Sequence, residues 1–457
     1  MGSQCASRHL DPQHLDGRDH RNTLSQRAHQ RRDHRRGRLH HPARRPRPRH
    51  RGRRSPRPRT PLRWRRVAPG NAGTETIASN VDIDLENFEN IKNFILKKEI
   101  ELVIVGPEKP LVEGLVDYLE KFQIKVFGPN KLASQLEGSK IFTKQLCEKF
   151  KIPTAKFEIF ENNIEAKKFI HSYKFPIVVK ADNLASGKGV YICNNIQETE
   201  IAIDEIFNGK FGKAKNILIE EFLNGEEMSF FTVHDGISFK TFGTAQDHKR
   251  VLEGDKGKNT GGMGAYSPSR LINVELEKKI INKIINPTLR GLSNMGSEYK
   301  GFLYTGLMIV GNEPYLIEYN VRMGDPECQT ILPRLNTDLI DIFLACCEKK
   351  LKEIDIQWKN KKSLCVVLCS NGYPNDFKKN IEINNLDNIK LNLDNFMFHA
   401  GTLKKNKKIL ATGGRVLNFV SLSNDFKVAK RNVVNNLEKL NWSGGFFRKD
   451  IGYKVIK

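Results

Sequence analysis

Residues 317–327 read IEYNVRMGDPE, and their alternation decides the fold. Glu318, Asn320 and Arg322 fall on one side of a strand, while Tyr315, Ile317, Tyr319 and Val321 fall on the other. The polar side carries a carboxylate, an amide oxygen and a guanidinium within about 14 Å, at the usual rise per residue. Charged triplets are commonly a solvated strand face, but the apolar flanks here read as a buried opposite side. Two hard oxygen donors suit Mg²⁺, which takes one or two protein groups together with nucleotide phosphates. The arginine beyond them suits an acyl phosphate or a carboxylate.

Three further stretches point to the same chemistry. In FPIVVKADNLASGKGV (175–190), Lys180 ends an apolar run on the side of Val178, so its burial demands an anionic partner. The small residues of 185–189 can bring backbone N–H groups close to phosphates. This is no Walker A loop, because GxxxxGK[ST] is absent, and an ordinary tight turn would look the same. In ILIEEFLNGEEMSFF (217–231), a strand ending in two glutamates offers backbone groups to a purine edge, and Glu227 could accept from ribose hydroxyls. A single glutamate is more often simply solvated. QDHKRVLEGDKGKNTGGMGAYSP (246–268) is a long glycine-rich loop carrying Asp247, His248, Lys249 and Arg250. Loops of that length inside a compact domain are functional or disordered.

The surrounding pattern is α/β. Phe88, Ile91 and Ile95 share a helical face, IELVIVG (100–106) reads as a buried parallel strand, and Leu111, Leu115, Tyr118, Leu119 and Phe122 restore helical spacing. IKVFGP then closes a βαβ unit, half of a doubly wound sheet. A helix is expected near 134–150, hairpins at Asp235-Gly236 and Gly311-Asn312, and helices over 273–293 and 337–350. SLCVVLCS, FMFHAGT and ATGGRVLNFV supply strands to a last segment.

The formal charge of +24 is unevenly spread. Residues 1–66 hold 21 Arg and four Asp, without Lys, Glu, Val, Ile, Phe or Tyr, and the other 391 residues carry only +7. The tract lacks the side chains needed to offset chain entropy and reads as disordered. No run of 18 apolar residues exists, so no helical membrane span is expected. Eight cysteines without a CxxC pair read as reduced thiols of a cytoplasmic protein.

In this order, VIVGPEKPLVEGLVDYL, IPTAKF, PIVVKADNLASGKGV, IEEFLNGEEMSF, the 246–268 loop, GFLYTGLMI and YLIEYNVRMGDPECQTILPRLNTDL resemble the ATP-grasp ligases, and within them the glycinamide ribonucleotide synthetase family. FHAGTL, ATGGRVLN and FRKDIGY are similar to that family's C-terminal domain, so the resemblance covers 67–457. It implies a truncated N-terminal doubly wound sheet, an ATP-grasp core of two α+β subdomains and a small β-rich C-terminal domain. The expected boundaries are 1–66 for the tract, 67–130 for the N-terminal remnant, 131–333 for the ATP-grasp domain with a lid at about 150–230, and 334–457 for the linker helix and C-terminal domain. The implied reaction joins glycine to 5-phosphoribosylamine with ATP, through a glycyl phosphate, giving glycinamide ribonucleotide, ADP and phosphate in purine biosynthesis.

By the same resemblance, Lys144 and Lys180 hold ATP phosphates, and Gly187, Lys188 and Gly189 form a lid loop. Glu220, Glu221 and Leu223 border adenine, and Glu227 holds the ribose. Glu318 and Asn320 are the Mg²⁺ or Mn²⁺ ligands. Arg322, Gly324 and Asp325 face the glycine carboxylate and acyl phosphate, while Asp247, His248 and Lys249 line the sugar-phosphate side with Asn71 and Gly73. A monomer acting on small molecules is implied, with no membrane and no nucleic acid for the enzyme core. Two alternatives are another ATP-grasp carboxylate–amine ligase and a nucleic-acid-binding protein led by the arginine tract. The family opens with a strand and glycine-rich turn of the type GxGGREHAL, and nothing before VAPGNAGT at Val67 matches it. The tract therefore reads as a segment foreign to the enzyme, with weak binding of the sugar phosphate expected as a consequence.

Overall fold

The structure, a computed structural model, describes residues 64–67 (backbone only), 70–183, 189–212 and 214–456. Residues 1–63 of the arginine tract, Gly187 and Lys188 lie outside the described residues.

The chain enters through Trp64–Val67, a strand parallel to Ala78–Val81. The boundary expected at residue 66 therefore falls inside a strand. Ladder formation needs only backbone donors and acceptors, so arginines at these positions do not prevent it. Helix Phe88–Lys97 starts where the Asn87 side chain accepts from Asn90 N–H at 3.0 Å, and it buries Ile91 and Ile95. The strand expected over 100–106 shortens to Val103–Ile104, parallel to Val126–Phe127. Among the described residues the two parallel pairs are not bonded to each other, so the doubly wound sheet is present as two short ladders. The helical run joining Val103–Ile104 to Val126–Phe127 breaks at Gly114 (φ 96°) into Glu108–Glu113 and Leu115–Glu120. Leu111, Leu115, Val116 and Leu119 are buried in one core with Ile280 and Ile284, each side chain contributing about 1.5–3 kcal/mol.

Two sheets then face the functional cleft. The first has the order Phe157–Phe160, Ile217–Glu221, Ile177–Ala181, Val190–Cys193, all antiparallel. Helices Asn163–Ile170 and Ile196–Phe207 cover it through Ala166, Ile170, Ile203 and Ile206. The second is nine-stranded and begins Glu313–Asn320, Lys300–Val310, Glu226–Asp235, Phe239–Asp247, Gly264–Ser267. Both expected hairpins are there, and the Gly311-Asn312 turn has φ of 56° and 64°, as a two-residue hairpin turn requires. The sheet does not stop at the expected boundary near 333. Gly264–Ser267 also pairs with Lys362–Ser370, and the ladder continues into Arg415–Ser423 and Asn395–His399. The last segment thus continues the same sheet, covered by helix Phe426–Leu440. No helix among the described residues is long and apolar enough to cross a membrane.

The C-terminal end is fastened by a buried ionic cluster. Arg448, 1% exposed, donates to Asp255 at 2.9 Å, to Asp450 at 2.6 and 2.8 Å and to the Arg250 carbonyl at 2.8 Å. Tyr453 Oη donates to Asp255 at 2.9 Å. Burial pushes the Asp255 carboxyl up, but hydrogen bonds from His248, Arg448 and Tyr453 outweigh it and hold the group well below the usual aspartate range. A depressed carboxylate stabilises the fold above the unfolded value and loses that contribution as pH falls towards the folded one. Asp255→Asn is expected to lower stability by about 2–4 kcal/mol at pH 7. The gap to wild type should narrow below about pH 4, where the unfolded aspartate protonates. Urea midpoints at pH 7 and pH 3 measure both.

Candidate active site

A cleft of about 1210 Å³ opens between the two sheets, and a smaller cavity of about 120 Å³ adjoins it. Lys180, Glu220, Glu318, Asn320 and Arg322 line both. The anionic partner that Lys180 demands is Glu220: Nζ donates to Oε2 at 2.8 Å, with both side chains under a tenth exposed. Lys144 stands 3.4 Å from the other carboxylate oxygen and also donates to Thr154 Oγ1 (2.7 Å) and the Ala155 carbonyl (3.3 Å). Burial pulls the Lys144 ammonium below the usual lysine range, against the opposing charge of Glu220. Lys144 is thus largely committed to protein acceptors, whereas Lys180 has one protein partner among the described residues and two donors left for a ligand. Glu220 faces both lysines and also lines the cleft, where its Oε1, 3.4 Å from Lys144, has no hydrogen bond among the described residues. Glu221 accepts from Lys156 N–H at 2.9 Å and, with Leu223, lines the cleft. Gly189 lines the smaller cavity.

Glu318 and Asn320 end the strand Glu313–Asn320 on the cleft side, as the alternation requires. Among the described residues neither side chain has a hydrogen bond or ion pair, so both present oxygen donors to the cleft. Arg322 is held firmly: Nε donates to Glu108 at 3.1 Å, Nη2 to Glu137 at 2.8 Å and Nη1 to the Met323 carbonyl at 3.1 Å. Burial pushes the Glu137 carboxyl up to about 7, against the pull of Arg322. Gly324 packs closely on the Glu327 carboxylate: a Cβ there would sit 2.5 Å from Oε2, so a side chain would have to displace that carboxylate. Asp325 accepts from Gln329 at 3.0 Å and from Arg415 at 2.9 Å.

At the end of Phe239–Asp247, alternation sends Asp247 and Lys249 into the cleft and His248 away from it. Lys249 is ion-paired with Glu227 through Oε1, and both line the cleft. Burial pushes the Asp247 carboxyl up to about 7 although Lys249 pulls it down. Glu327, also buried and pushed up, accepts from Ser229 Oγ at 3.2 Å. His248 is 2% exposed and does not reach the cleft. Gly452 N–H donates to its Nε2 at 3.1 Å, which leaves Nδ1 to donate to Asp255 at 3.3 Å. Its expected substrate contact is therefore replaced by a structural one.

Asn71 and Gly73 also fall outside the cleft wall. Asn71 Oδ1 accepts from the N–H groups of Gly73 (3.0 Å) and Thr74 (2.9 Å), and Nδ2 donates to the His399 carbonyl at 2.7 Å. The amide is spent on a local turn and on docking that turn against the last segment. Conversely, Glu108, Glu137, Lys140, Glu327 and Arg415 line the site without having been singled out in the sequence. Arg415 carried one usable signal, being among eight arginines in a remainder that otherwise uses 47 lysines.

The geometry agrees with comparison to known proteins. Residues 65–137, 138–328 and 363–454 match the N domain, the ATP-grasp (A) domain and the C domain of phosphoribosylglycinamide synthetase. The phosphoribosylamine–glycine ligase of Brucella melitensis is 44% identical over 392 residues, which cover 85% of this chain and 92% of that protein. The crystal structure of the Thermotoga maritima phosphoribosylamine–glycine ligase superposes with a TM-score of 0.74 at 33% identity, over 86% of this chain and 94% of that one. The fold extends to the biotin carboxylase domain of Hydrogenobacter thermophilus 2-oxoglutarate carboxylase, solved with MgADP, at a TM-score of 0.63 and 18% identity over 81% of this chain and 82% of that one. A cleft between two antiparallel sheets, with a lysine–glutamate cluster on one wall and Glu318 and Asn320 on the other, thus sits in a chain that belongs to the phosphoribosylglycinamide synthetase family of ATP-grasp ligases.

Proposed function

We propose that the protein ligates glycine to 5-phosphoribosylamine, consuming ATP and releasing ADP and phosphate, by way of a glycyl phosphate. One observation carries the reading: Lys180, with donors to spare, opposes the unpartnered oxygens of Glu318 and Asn320 across a single cleft. An anionic polyphosphate between them meets ammonium on one side and a pair of hard oxygen donors on the other.

The free carboxylate and amide oxygens fit a hard divalent cation, Mg²⁺ or Mn²⁺, held by two protein groups with phosphate oxygens completing its shell. When bound, that cation supplies charge neutralisation of the phosphates during transfer. Lys180 binds the phosphates from the opposite wall, and Lys144 adds its positive charge from behind Glu220. Glu221 and Leu223 border the nucleobase. Arg322, fixed by Glu108 and Glu137, directs its remaining N–H groups and charge at the glycine carboxylate as it attacks the γ-phosphorus. That carboxylate becomes the acyl phosphate, ADP leaves, and the sugar amine displaces the acyl phosphate's phosphate. Gly324, Asp325, Asp247 and Lys249 all line the cleft; in this reading the first two serve the acyl phosphate and the last two the amine. Every step is positioning and electrostatics, with no covalent bond to the protein.

Phosphate release from ATP is the test. It is expected only when glycine and 5-phosphoribosylamine are both present at full rate, with glycinamide ribonucleotide formed in equal amount. Release supported equally by other carboxylates, or by bicarbonate with a biotinyl acceptor, would favour a different ATP-grasp reaction.

A further inference from the structure

The C-terminal strands and tail bring two cations to the cleft wall, Arg415 and Lys454, and Arg415 is the one bonded to other residues of the cleft. Arg415 starts the strand Arg415–Ser423 and reaches the cleft wall. Its Nη1 donates to two carbonyls, Gly261 at 2.6 Å and Asp325 at 2.7 Å, and its Nη2 donates to Asp325 Oδ2 at 2.9 Å. The same Gly261 is gripped from its other side, since its N–H donates to Tyr373 Oη at 2.9 Å. Tyr373 can lie there because residue 414 has no side chain: a Cβ would meet its ring at 2.2 Å. The neighbouring Thr260 donates to the Lys249 carbonyl through both its N–H and its Oγ1, each at 2.8 Å. A continuous set of contacts therefore runs from Arg415 to two cleft groups on different loops, Lys249 and Asp325.

We infer that Arg415, seconded by Tyr373, is a positioning residue for the acyl-transfer end of the cleft: it sets Asp325 directly and Lys249 through the Gly261 peptide and Thr260. Three acceptors in one fork suit a planar guanidinium, and a lysine ammonium at the same place would reach them as a point donor with poorer geometry. The nucleobase end, bordered by Glu221 and Leu223 on the other sheet, has no part in this set of contacts. The effect is thus confined to the glycine side.

The inference rests on the proposed ligase reaction and is tested without the sugar phosphate. The full chain is given ATP, glycine and hydroxylamine, which displaces phosphate from glycyl phosphate and forms glycine hydroxamate. Wild type is expected to make hydroxamate. Arg415→Ala should lower its kcat about 10–100-fold, the range typical of outer residues that orient reactive groups. The KM for ATP should stay within about twofold, and the thermal midpoint should not move. Arg415→Lys should recover part of the loss, Tyr373→Phe should show a smaller loss, and millimolar guanidinium should restore Arg415→Ala. Arg415→Ala at wild-type rate would overturn the inference. So would an ATP KM rising in step with the lost rate, or a lowered thermal midpoint with no rescue by guanidinium. Wild type forming no hydroxamate would instead remove the ligase reading, and this inference with it.

Discussion

Glu318→Gln is expected to lose about three orders of magnitude in ATP-dependent turnover while folding as wild type does. The amide keeps the volume and one oxygen of the carboxylate, and among the described residues Glu318 has no hydrogen bond or ion pair to lose. Substitutions at such positions change stability by about 0.5 kcal/mol or less. What disappears is a full negative charge from a hard-cation site with only two protein donors. A divalent cation lowers the barrier to phosphoryl transfer by several kcal/mol, and each 1.4 kcal/mol is about tenfold in rate. Raising Mg²⁺ should recover part of the loss, because the weakened site fills at higher concentration. Turnover within about tenfold of wild type at ordinary Mg²⁺ would show that Glu318 is not a ligand.

Glu220→Ala should produce the largest loss of stability, about 3–5 kcal/mol, because it strands buried positive charge. One carboxylate serves both Lys180, at 2.8 Å, and Lys144, at 3.4 Å. Removing Lys180 leaves Glu220 with Lys144, so Lys180→Met should cost clearly less in stability than Glu220→Ala. Activity should rank differently, since Lys180 carries the spare donors and Glu220 has none to offer a phosphate. Lys180→Met is therefore expected to raise the KM for ATP strongly in a protein that melts nearly as wild type does. Chemical denaturation of the two variants side by side decides the point. Equal losses of stability would mean that the pair contributes little beyond packing.

The strand alternation in 317–322 brought Glu318, Asn320 and Arg322 together on the cleft, but a bulge before Glu318 and the strand's end let Ile317 and Val321 line it as well. The same logic read Lys180 correctly: a lysine ending an apolar strand needs an anion, and Glu220 on the neighbouring strand supplies it. Alternation also separates Asp247 and Lys249 from His248, yet grouping the three as one loop obscured it. Pairing between distant segments was out of reach. Nothing local in Gly264–Ser267 announces that it joins Phe239–Asp247 to Lys362–Ser370, or that the C-terminal strands continue the same sheet. The roles of Arg415, Glu137 and Glu108 depend on that long-range assembly. Asn71 and Gly73 show a different limit: the sequence did not reveal that the Asn71 amide closes its own turn and docks it on His399.

The acyl phosphate is the centre of the account, and one isotope measurement addresses it directly. Glycine labelled with ¹⁸O in its carboxylate is incubated with the protein, ATP, Mg²⁺ and 5-phosphoribosylamine, and the inorganic phosphate is analysed by ³¹P NMR or mass spectrometry. Attack of the carboxylate on the γ-phosphorus, followed by displacement at the acyl carbon, carries one labelled oxygen into each phosphate released. The account predicts that transfer, matched one to one with glycinamide ribonucleotide. Unlabelled phosphate formed alongside the amide product would contradict it.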